Sequence, residues 1–174
     1  MCSRYFIEEE LLMDIRPADQ AEVLVWSEGA ICREIQRWGF PGFLDKQLVI
    51  NARSESAMEK KMFYDSVENR RVVIPASGFY EWNQYKEKST FTGKDQQTLY
   101  MAGIYNIFEN EKRFVILTTA ANESMAPVHD RMPLILDEED IIPWLTDEER
   151  TEEFLHKVPC QLERKTEFEQ MTLF

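Results

Sequence analysis

The chain has 174 residues, 44% of them hydrophobic, and a formal net charge of −12. This length and composition are typical of one globular domain with a core of its own, which we expect to span residues 1–174. No apolar run is long enough to cross a membrane, and the acidic run Glu8-Glu9-Glu10 comes too early for a signal peptide. The three cysteines, Cys2, Cys32 and Cys160, form neither a metal-ligand spacing nor an even disulfide framework. We therefore expect a cytoplasmic protein without a metal or organic cofactor.

The acidic charge is unevenly distributed along the chain. Residues 137–153 contain a single basic residue, Arg150, whereas residues 33–71 carry slightly more lysines and arginines than acids. A net negative charge lowers the expectation of nucleic-acid binding, because the phosphate backbone is itself negative. A local basic groove can nevertheless coexist with an acidic C-terminal region. The charge weighs against DNA binding without excluding it.

Most of the predicted elements are strands. Runs of β-branched and aromatic residues bounded by turn residues predict strands over residues 23–26, 30–38, 72–75, 79–82, 99–107, 113–120 and 132–136. Helical patterns and a capping box predict short helices over residues 8–15, about 56–67, 138–145 with an interruption at Pro143, and 147–157. Glycine, proline and polar runs predict loops over residues 39–43 and 83–97, and a loop or an irregular short helix over residues 122–130. Residues after Val158 give no strong signal.

Strand runs with only a few helices between them indicate an α+β domain with a largely antiparallel, barrel-like sheet. No linker divides the chain, and residues 137–174 form an acidic, helical C-terminal part of the same domain.

A cysteine directly after the initiator methionine has chemistry that an internal cysteine lacks. Removal of Met1 would leave Cys2 with a free α-amine and a thiol on adjacent carbons, and both groups react near neutral pH. The neutral amine can add to an aldehyde to give an imine, and the sulfur can then close on the same carbon as a five-membered thiazolidine. The alternative is a passive second residue on a frayed terminus.

Two further residues are candidates for proton transfer. Glu81 lies between Tyr80 and Trp82, where desolvation would suit it to this task, although strand alternation could equally place it on the solvent face. His129 is one of two histidines in the chain, and a loop histidine bonded to the backbone is the structural alternative.

Polar and aromatic residues elsewhere could bind a nucleic acid. Asn51 could orient a substrate or cap a turn, and Arg53 and Arg131 could each bind a phosphate or form a surface ion pair. Trp38 and Phe40 border a Gly/Pro loop, where they could stack on unpaired bases or fold onto the core.

Several motifs occur together in one order along the chain. They are Cys2 with Arg4, Trp38-Gly39-Phe40, Asn51-Ala52-Arg53-Ser54-Glu55, Pro75-Ala76-Ser77-Gly78-Phe79-Tyr80-Glu81-Trp82 and His129-Asp130-Arg131-Met132-Pro133. In this combination, from Cys2 to about Leu136, the chain closely resembles the SOS-response-associated-peptidase (SRAP) family.

The resemblance implies a protein that recognises abasic sites in single-stranded DNA and bonds covalently to them as a thiazolidine. It implies that Cys2 is the nucleophile, that Glu81 transfers protons, and that Asn51 holds the reacting terminus and the sugar. His129 would assist sugar ring-opening, Schiff-base chemistry and reversal of the crosslink. A peptidase activity on the protein's own N terminus and a lyase-like crosslinking activity are also implied.

The resemblance further implies a DNA-binding surface around these groups. Arg4, Arg53 and Arg131 would bind flanking phosphates, Trp38, Phe40 and Trp82 would stack on bases or wedge the strand, and Thr119 would line the site. The expected partner is single-stranded DNA with abasic sites, bound by a monomer that associates with the nucleoid. No membrane partner is expected.

The chain departs from the family pattern near its start. Ser3 follows the cysteine where the family usually has glycine, and Asp14 replaces the asparagine of an Asn-x-x-Pro element. Two other functions remain open from the sequence. One is a cysteine peptidase that uses Cys2 and His129, which would not need the α-amine. The other is a non-covalent single-stranded DNA-binding protein, whose binding would survive the Cys2→Ala substitution.

Overall fold

The computed structural model describes residues 1–167 of the chain. In this part the strands are β1 Tyr5–Glu8, β2 Leu12–Ile15, β3 Gln20–Ser27, β4 Ala30–Trp38, β5 Phe40–Pro41, β6 Leu48–Val49, β7 Asn51–Arg53, β8 Arg71–Ala76, β9 Gly78–Trp82, β10 Lys88–Thr92, β11 Leu99–Phe108, β12 Glu111–Ala120, β13 Arg131–Pro133, β14 Ile135–Leu136 and β15 Glu163–Thr166. The α-helices are α1 Tyr64–Asn69, α2 Ile141–Thr146 and α3 Thr151–Leu155, and the 3-10 helices are Ser54–Glu59, Lys94–Gln96 and Glu138–Asp140.

Five strands close into a barrel in the order β12, β4, β3, β8 and β11. The barrel closes because β12 pairs with β4 on one side and with β11 on the other. The β12–β4 pairing is parallel and places Phe114 beside Trp38, whereas the other barrel pairings are antiparallel. The prediction of an α+β fold with a largely antiparallel, barrel-like sheet is therefore confirmed.

A second sheet, in the order β15, β10, β9, β1 and β2, carries the start of the chain. Strand β1 pairs antiparallel with β9, with Tyr5 opposite Phe79 and Phe6 opposite Gly78. Gly78 is needed there because an added Cβ would overlap the Phe91 carbonyl and lie 2.6 Å from the Phe6 ring. This close pairing fixes the N terminus against β9, the strand that contains Glu81.

Two hydrophobic clusters form the core. One includes Cys2, Tyr5 and Trp38, so the N terminus is packed into it. The other includes Trp144 of α2 and Phe154 of α3, so the C-terminal helices pack against residues of the barrel strands. The positions that carry the candidate chemistry therefore lie against the first cluster.

Several predicted elements were wrong in type or extent. Residues 8–15 form the turn and strand of the β1–β2 hairpin instead of a helix, because pairing with β9 on the other edge of β1 overrides the local helical pattern. The helix predicted over about 56–67 divides into the Ser54–Glu59 3-10 helix and α1, and no side chain caps either one. Residues 83–97, predicted as a loop, contain β10.

The C-terminal part also differs from the prediction. Pro143 does not interrupt α2, because it lies in the first turn, where no backbone N–H is needed for the helix. Strand β15 lies within the tail after Val158, which gave no strong sequence signal, and it pairs with β10. The helical C-terminal part was predicted to extend to residue 174, and residues 168–174 lie outside the described part of the chain. Within residues 1–167, none of the helices has the length and apolar character required to cross a membrane.

Candidate active site at the N terminus

The N-terminal amine lies between two of the predicted catalytic side chains. The Met1 nitrogen is 2.9 Å from Nε2 of His129 and 3.1 Å from Oε2 of Glu81. Cys2, the next residue, is fully buried. The structure therefore brings together at one point the cysteine, the glutamate and the histidine that lie far apart in the sequence.

Strand pairing positions Glu81 in this site. The backbone N–H of Tyr80 donates to the carbonyl of Arg4, 3.0 Å away, which aligns β9 with the first residues of the chain. Glu81 is 5% exposed, so its side chain lies on the buried face of β9 and not on the solvent face. Its Oε1 accepts a hydrogen bond from the backbone N–H of Trp82, while its Oε2 faces the N-terminal ammonium. A buried carboxylate needs such a partner because an unpaired charge in the interior is costly.

A loop held by Asn122 positions His129. The Asn122 amide group donates to the carbonyls of Pro159 and Cys160 at 3.0 and 2.8 Å, and its Oδ1 accepts from the backbone and hydroxyl of Ser124. This buried side chain therefore ties the loop before β13 to the segment before β15. Asn122 was not predicted as a site residue, although it lies in a polar cluster at the end of a strand.

The other side of the His129 ring has two neighbours. Nδ1 lies 3.0 Å from the backbone nitrogen of Arg131 and 3.0 Å from Oδ1 of Asp130. The imidazole thus bridges the N-terminal amine to its own loop.

The thiol of Cys2 is held in its neutral form. Burial, reinforced by the negative charge of Glu81, raises the pKa of Cys2 to about 12. At neutral pH the sulfur is therefore not a thiolate in this arrangement. The Met1 amine, by contrast, is in direct contact with Glu81 and His129.

Asn51 lies at the start of β7, which runs parallel to β12. Its amide group donates to the carbonyl of Ile116 over 3.4 Å, and its Oδ1 is buried without a hydrogen-bond partner. An unpaired buried acceptor is costly unless a ligand supplies the donor. The role of Asn51 in holding the terminus or the sugar stays a prediction.

Arg131 does not have the surroundings of a phosphate ligand. The residue is 9% exposed, and its guanidinium donates to both carboxylate oxygens of Glu55 at 2.6 and 2.9 Å and to the carbonyl of Thr118 at 2.8 Å. This ion pair holds the pKa of Glu55 below its ordinary range. In this structure the charge of Arg131 joins β13 to the Ser54–Glu59 helix, and its contact with a phosphate stays a prediction.

The other two arginines differ from each other. Arg4 is paired with Asp14, the residue that departs from the family pattern, and its guanidinium lies 5.3 Å from the centre of the Tyr80 ring. Arg53 ends β7 with an exposed side chain. Of the three predicted phosphate ligands, Arg53 has the most suitable surroundings.

Two of the three predicted stacking residues are core residues. Trp38 is fully buried, stacks on Phe114 and donates from Nε1 to the carbonyl of Ile50. Phe40 is fully buried and packs against Phe108. Both rings are therefore part of the core in this structure, and their stacking on bases stays a prediction.

Trp82 is different, since it lines an open cavity of about 480 Å³ next to His129. Tyr85 and Asp130 line the same cavity. Tyr85 was not predicted, and its ring is 74% exposed. Thr119, half-buried on β12 opposite Met132, is not among the residues around this cavity. The cavity gives a ligand access to the histidine from solvent.

Comparison with known proteins places the whole described chain in one family. The family model described as SOS response associated peptidase (SRAP) matches residues 1–172. The abasic site processing protein YedK of Escherichia coli (strain K12) is 33% identical over 119 residues, which cover 64% of this chain and 54% of that protein. The abasic site processing protein YoqW of Bacillus subtilis (strain 168) is 33% identical over 136 residues, covering 70% and 61%. The chain thus spans little more than half the length of these relatives.

Solved structures share the fold. A crystal structure of a protein from Bordetella bronchiseptica matches with a TM-score of 0.80 at 22% identity, covering 95% of this chain and 99% of that one. A crystal structure of a protein from Bacteroides thetaiotaomicron matches with a TM-score of 0.74 at 20% identity, covering 88% and 76%. At these identities the similarity concerns the fold alone.

Proposed function

Because the chain belongs to the SOS response associated peptidase (SRAP) family, we propose that it recognises abasic sites in DNA and bonds to them covalently through Cys2. The observation that supports this most directly is the N-terminal amine, held within 3.1 Å of Glu81 and 2.9 Å of His129, with Cys2 as the next residue. The names of the relatives, abasic site processing proteins, support the choice of an abasic site as substrate.

The chemistry begins with the amine. A neutral α-amine attacks the aldehyde carbon of the ring-opened abasic sugar, and the resulting carbinolamine loses water to give an imine. The sulfur of Cys2 then adds to the same carbon, the C=N π bond breaks, and the thiol proton ends on the nitrogen, which closes the thiazolidine. In the Met1-bearing chain the buried thiol has a pKa of about 12 and is protonated at neutral pH, which supports attack by the amine as the first step.

Glu81 and His129 supply the proton transfers. Glu81, buried and next to the ammonium, takes protons from the amine and returns one to the departing hydroxyl. His129 serves the sugar oxygen during ring opening and reversal, since its Nε2 is at the same point and its ring borders the open cavity. Asn51 offers its unpaired Oδ1 to a donor on the sugar or the terminus.

Met1 must be removed before Cys2 can act. In the structure the Met1 amine occupies the position between Glu81 and His129, and consecutive α-carbons are about 3.8 Å apart. Trimming of Met1 therefore leaves the Cys2 amine a short shift away from the same two groups. We propose that this shift activates the protein, and that the groups that bind the Met1 amine also serve its self-processing.

Single-stranded DNA is the substrate that the site suits. A duplex would stack the neighbouring bases and hide the aldehyde, whereas a single strand can enter an open cavity. Trp82 offers a half-buried ring for a flanking base, and Arg53 an exposed charge for a phosphate. With a net charge of −12, non-covalent affinity from phosphates alone is expected to be weak, and we expect one monomer to act at each lesion.

The test is a crosslinking assay on a denaturing gel. A single-stranded oligonucleotide with one abasic site is incubated with Met1-trimmed protein, alongside Cys2→Ala protein and protein with an acetylated α-amine. We expect a shifted band only when both thiol and amine are free. Loss of the band in His129→Gln but not in the matched His156→Gln would assign the proton transfer to the site histidine. If Met1-trimmed protein gives no band, the proposal is wrong.

Peptide cleavage and native-gel binding, measured on the same variants, separate the two alternatives. A cysteine peptidase using Cys2 and His129 would cleave peptides with turnover even when its α-amine is acetylated. A non-covalent binding protein would retain the oligonucleotide under native conditions after the Cys2→Ala substitution, and lose it on the denaturing gel.

A further inference from the structure

The face of β9 that points away from Glu81 carries an aromatic and basic group of side chains next to the cavity. Side chains alternate along a strand, so Tyr80 and Trp82 share one face and Glu81 lies on the other. Lys88 of β10 pairs directly with Trp82, which places both side chains on the same face. Directly opposed side chains of antiparallel strands are about 5 Å apart at their Cβ atoms. Trp82 and Lys88 are therefore suitably spaced to bind a base and a neighbouring phosphate of one strand.

The ammonium group of Lys88 is held by an aromatic ring. Its Nζ lies 4.2 Å from the centre of the Tyr80 ring, within the range of a cation–π contact. The Lys88 side chain is 28% exposed, so solvent still reaches it. A lysine fixed in this way loses less side-chain freedom when it binds a phosphate than a mobile surface lysine does.

The second cation near this ring has a closer acidic partner. Arg4 lies 5.3 Å from the centre of the Tyr80 ring and is paired with Asp14. The acid beside Lys88 is Glu167, which is 69% exposed and whose Oε1 is 3.6 Å from Nζ. This separation is longer than a hydrogen bond, so the ion pair is weak. Of the two cations, Lys88 is therefore the one that a phosphate can bind with less competition.

We propose that Lys88 binds a phosphate of the DNA beside the base that stacks on Trp82, and that Glu167 competes with this phosphate for the ammonium group. This inference rests on the proposed function and adds to it a phosphate ligand that the motifs did not include. A lysine ammonium binds a carboxylate or a phosphate as a point charge. DNA binding at this position therefore exchanges one ion pair for another, and the weak hold of Glu167 favours the exchange.

The first test measures binding without a covalent bond. A labelled single-stranded oligonucleotide carries a tetrahydrofuran residue, which has no aldehyde, in place of the abasic sugar. Its binding to the full chain is followed by fluorescence anisotropy at several salt concentrations. We expect Lys88→Gln to weaken binding about two- to fivefold, as for an exposed ion pair, and to reduce the log–log salt slope by about 0.7.

The control for this test is a second lysine near the same strand. Lys94 is exposed and lies beyond the other end of β10, so Lys94→Gln changes the net charge equally and should leave the affinity and the slope unchanged. An unchanged slope in Lys88→Gln overturns the proposal. It is equally overturned if the unsubstituted chain does not bind the oligonucleotide.

The second test concerns the competition by Glu167. Glu167→Gln should strengthen binding about two- to fivefold in the unsubstituted chain and have no effect in the Lys88→Gln background. Glu163→Gln, which changes an exposed acid opposite Thr92 at the other end of β15, should have no effect in either background. If Glu167→Gln strengthens binding equally in both backgrounds, it acts through the net charge, and the competition is refuted.

The third test locates the phosphate. A set of oligonucleotides carries one uncharged methylphosphonate each, at successive positions around the tetrahydrofuran residue. At one position the uncharged linkage should weaken binding by the unsubstituted chain and have no effect on Lys88→Gln. The absence of such a position refutes the contact.

The crosslinking assay of the proposed function is read separately. With an oligonucleotide that carries the aldehyde, Lys88→Gln should raise the half-saturating concentration and leave the rate at saturation unchanged. A slower rate at saturation with an unchanged half-saturating concentration would overturn the assignment of Lys88 to binding. A chain that gives no crosslinked band, but whose binding depends on Lys88 as described, refutes the covalent function and leaves the phosphate contact standing.

Discussion

The burial of Cys2 predicts that its thiol reacts very slowly with alkylating reagents while Met1 remains attached. Burial and the charge of Glu81 raise the pKa of the thiol from 9.0 to about 12. Each unit lowers the thiolate population tenfold when the pH is well below the pKa. At about pH 8, Cys2 should therefore hold about a thousandth of the thiolate of an ordinary cysteine. A reagent must also wait for local opening to reach a fully buried sulfur.

The assay is iodoacetamide labelling followed by peptide mapping. The N-terminal peptide is scored separately with and without Met1, and the half-buried Cys32 in the same chain serves as the internal control. Glu81→Gln removes the second cause of the shift, so it should increase the labelling rate of Cys2 and leave Cys32 unchanged. If Cys2 of the Met1-bearing chain is labelled as fast as Cys32 at every pH, the thiol is not held in its neutral form and the amine-first order loses its physical basis.

The raised pKa of Cys2 also makes the free energy of unfolding depend on pH. Below the ordinary thiol pKa both the folded and the unfolded chain keep the Cys2 proton, so the free energy of unfolding is unaffected there. Between 9.0 and about 12 the unfolded chain loses the proton first, and stability falls as the pH rises. The full loss would be about 4 kcal/mol, and Cys2→Ala should remove this part of the pH dependence.

Three further predictions concern the residues around the site. Glu55→Ala leaves the Arg131 guanidinium nearly buried without its partner, and should lower the free energy of unfolding in urea by about 2 kcal/mol. Since Arg131 lowers the pKa of Glu55, this contribution is present above the ordinary carboxyl pKa and is lost as the pH falls, so the two proteins should converge in acid. Trp38→Ala should cost about 3–5 kcal/mol of stability, whereas Trp82→Ala should leave the urea midpoint nearly unchanged and weaken oligonucleotide binding by about 1–3 kcal/mol. Arg53→Gln should reduce the salt dependence of oligonucleotide binding by about 0.7 in the log–log slope, and an unchanged slope would exclude a phosphate contact there.

The sequence predicted the architecture because long strands leave a strong pattern. Strand β4 was predicted with its observed bounds, Ala30–Trp38, and β12 to within a few residues. The hairpin of β1 and β2 was missed because each strand has only four residues, and its pairing partner β9 lies some seventy positions further along the chain. Distant pairing of this kind decides the structure of a short segment and leaves no local signal.

The sequence predicted which residues belong to the candidate site more reliably than it predicted the surroundings of their side chains. Cys2, Glu81 and His129 meet at one point, in agreement with their shared place in the motifs. Trp38 and Arg131 belong to the same motifs but are buried and paired within the protein. A motif gives the identity of a residue, and only the packing around it decides whether its side chain faces a ligand or the core.

Arg4 is paired with Asp14, and this pairing changes the electrostatics near the N terminus. Arg4 also lies over the ring of Tyr80, so its guanidinium is held in place. The hydrogen bond from Arg4 keeps the pKa of Asp14 below its ordinary range, so the carboxylate remains charged at neutral pH. A phosphate that approaches Arg4 must therefore displace Asp14 or bind beside a neutralised pair. In either case, its binding to Arg4 releases fewer counterions than its binding to an unpaired arginine would. Under the proposed function, a chain of net charge −12 that lacks one phosphate contact would depend for retention of the DNA on the proposed covalent bond at Cys2 more than on non-covalent affinity.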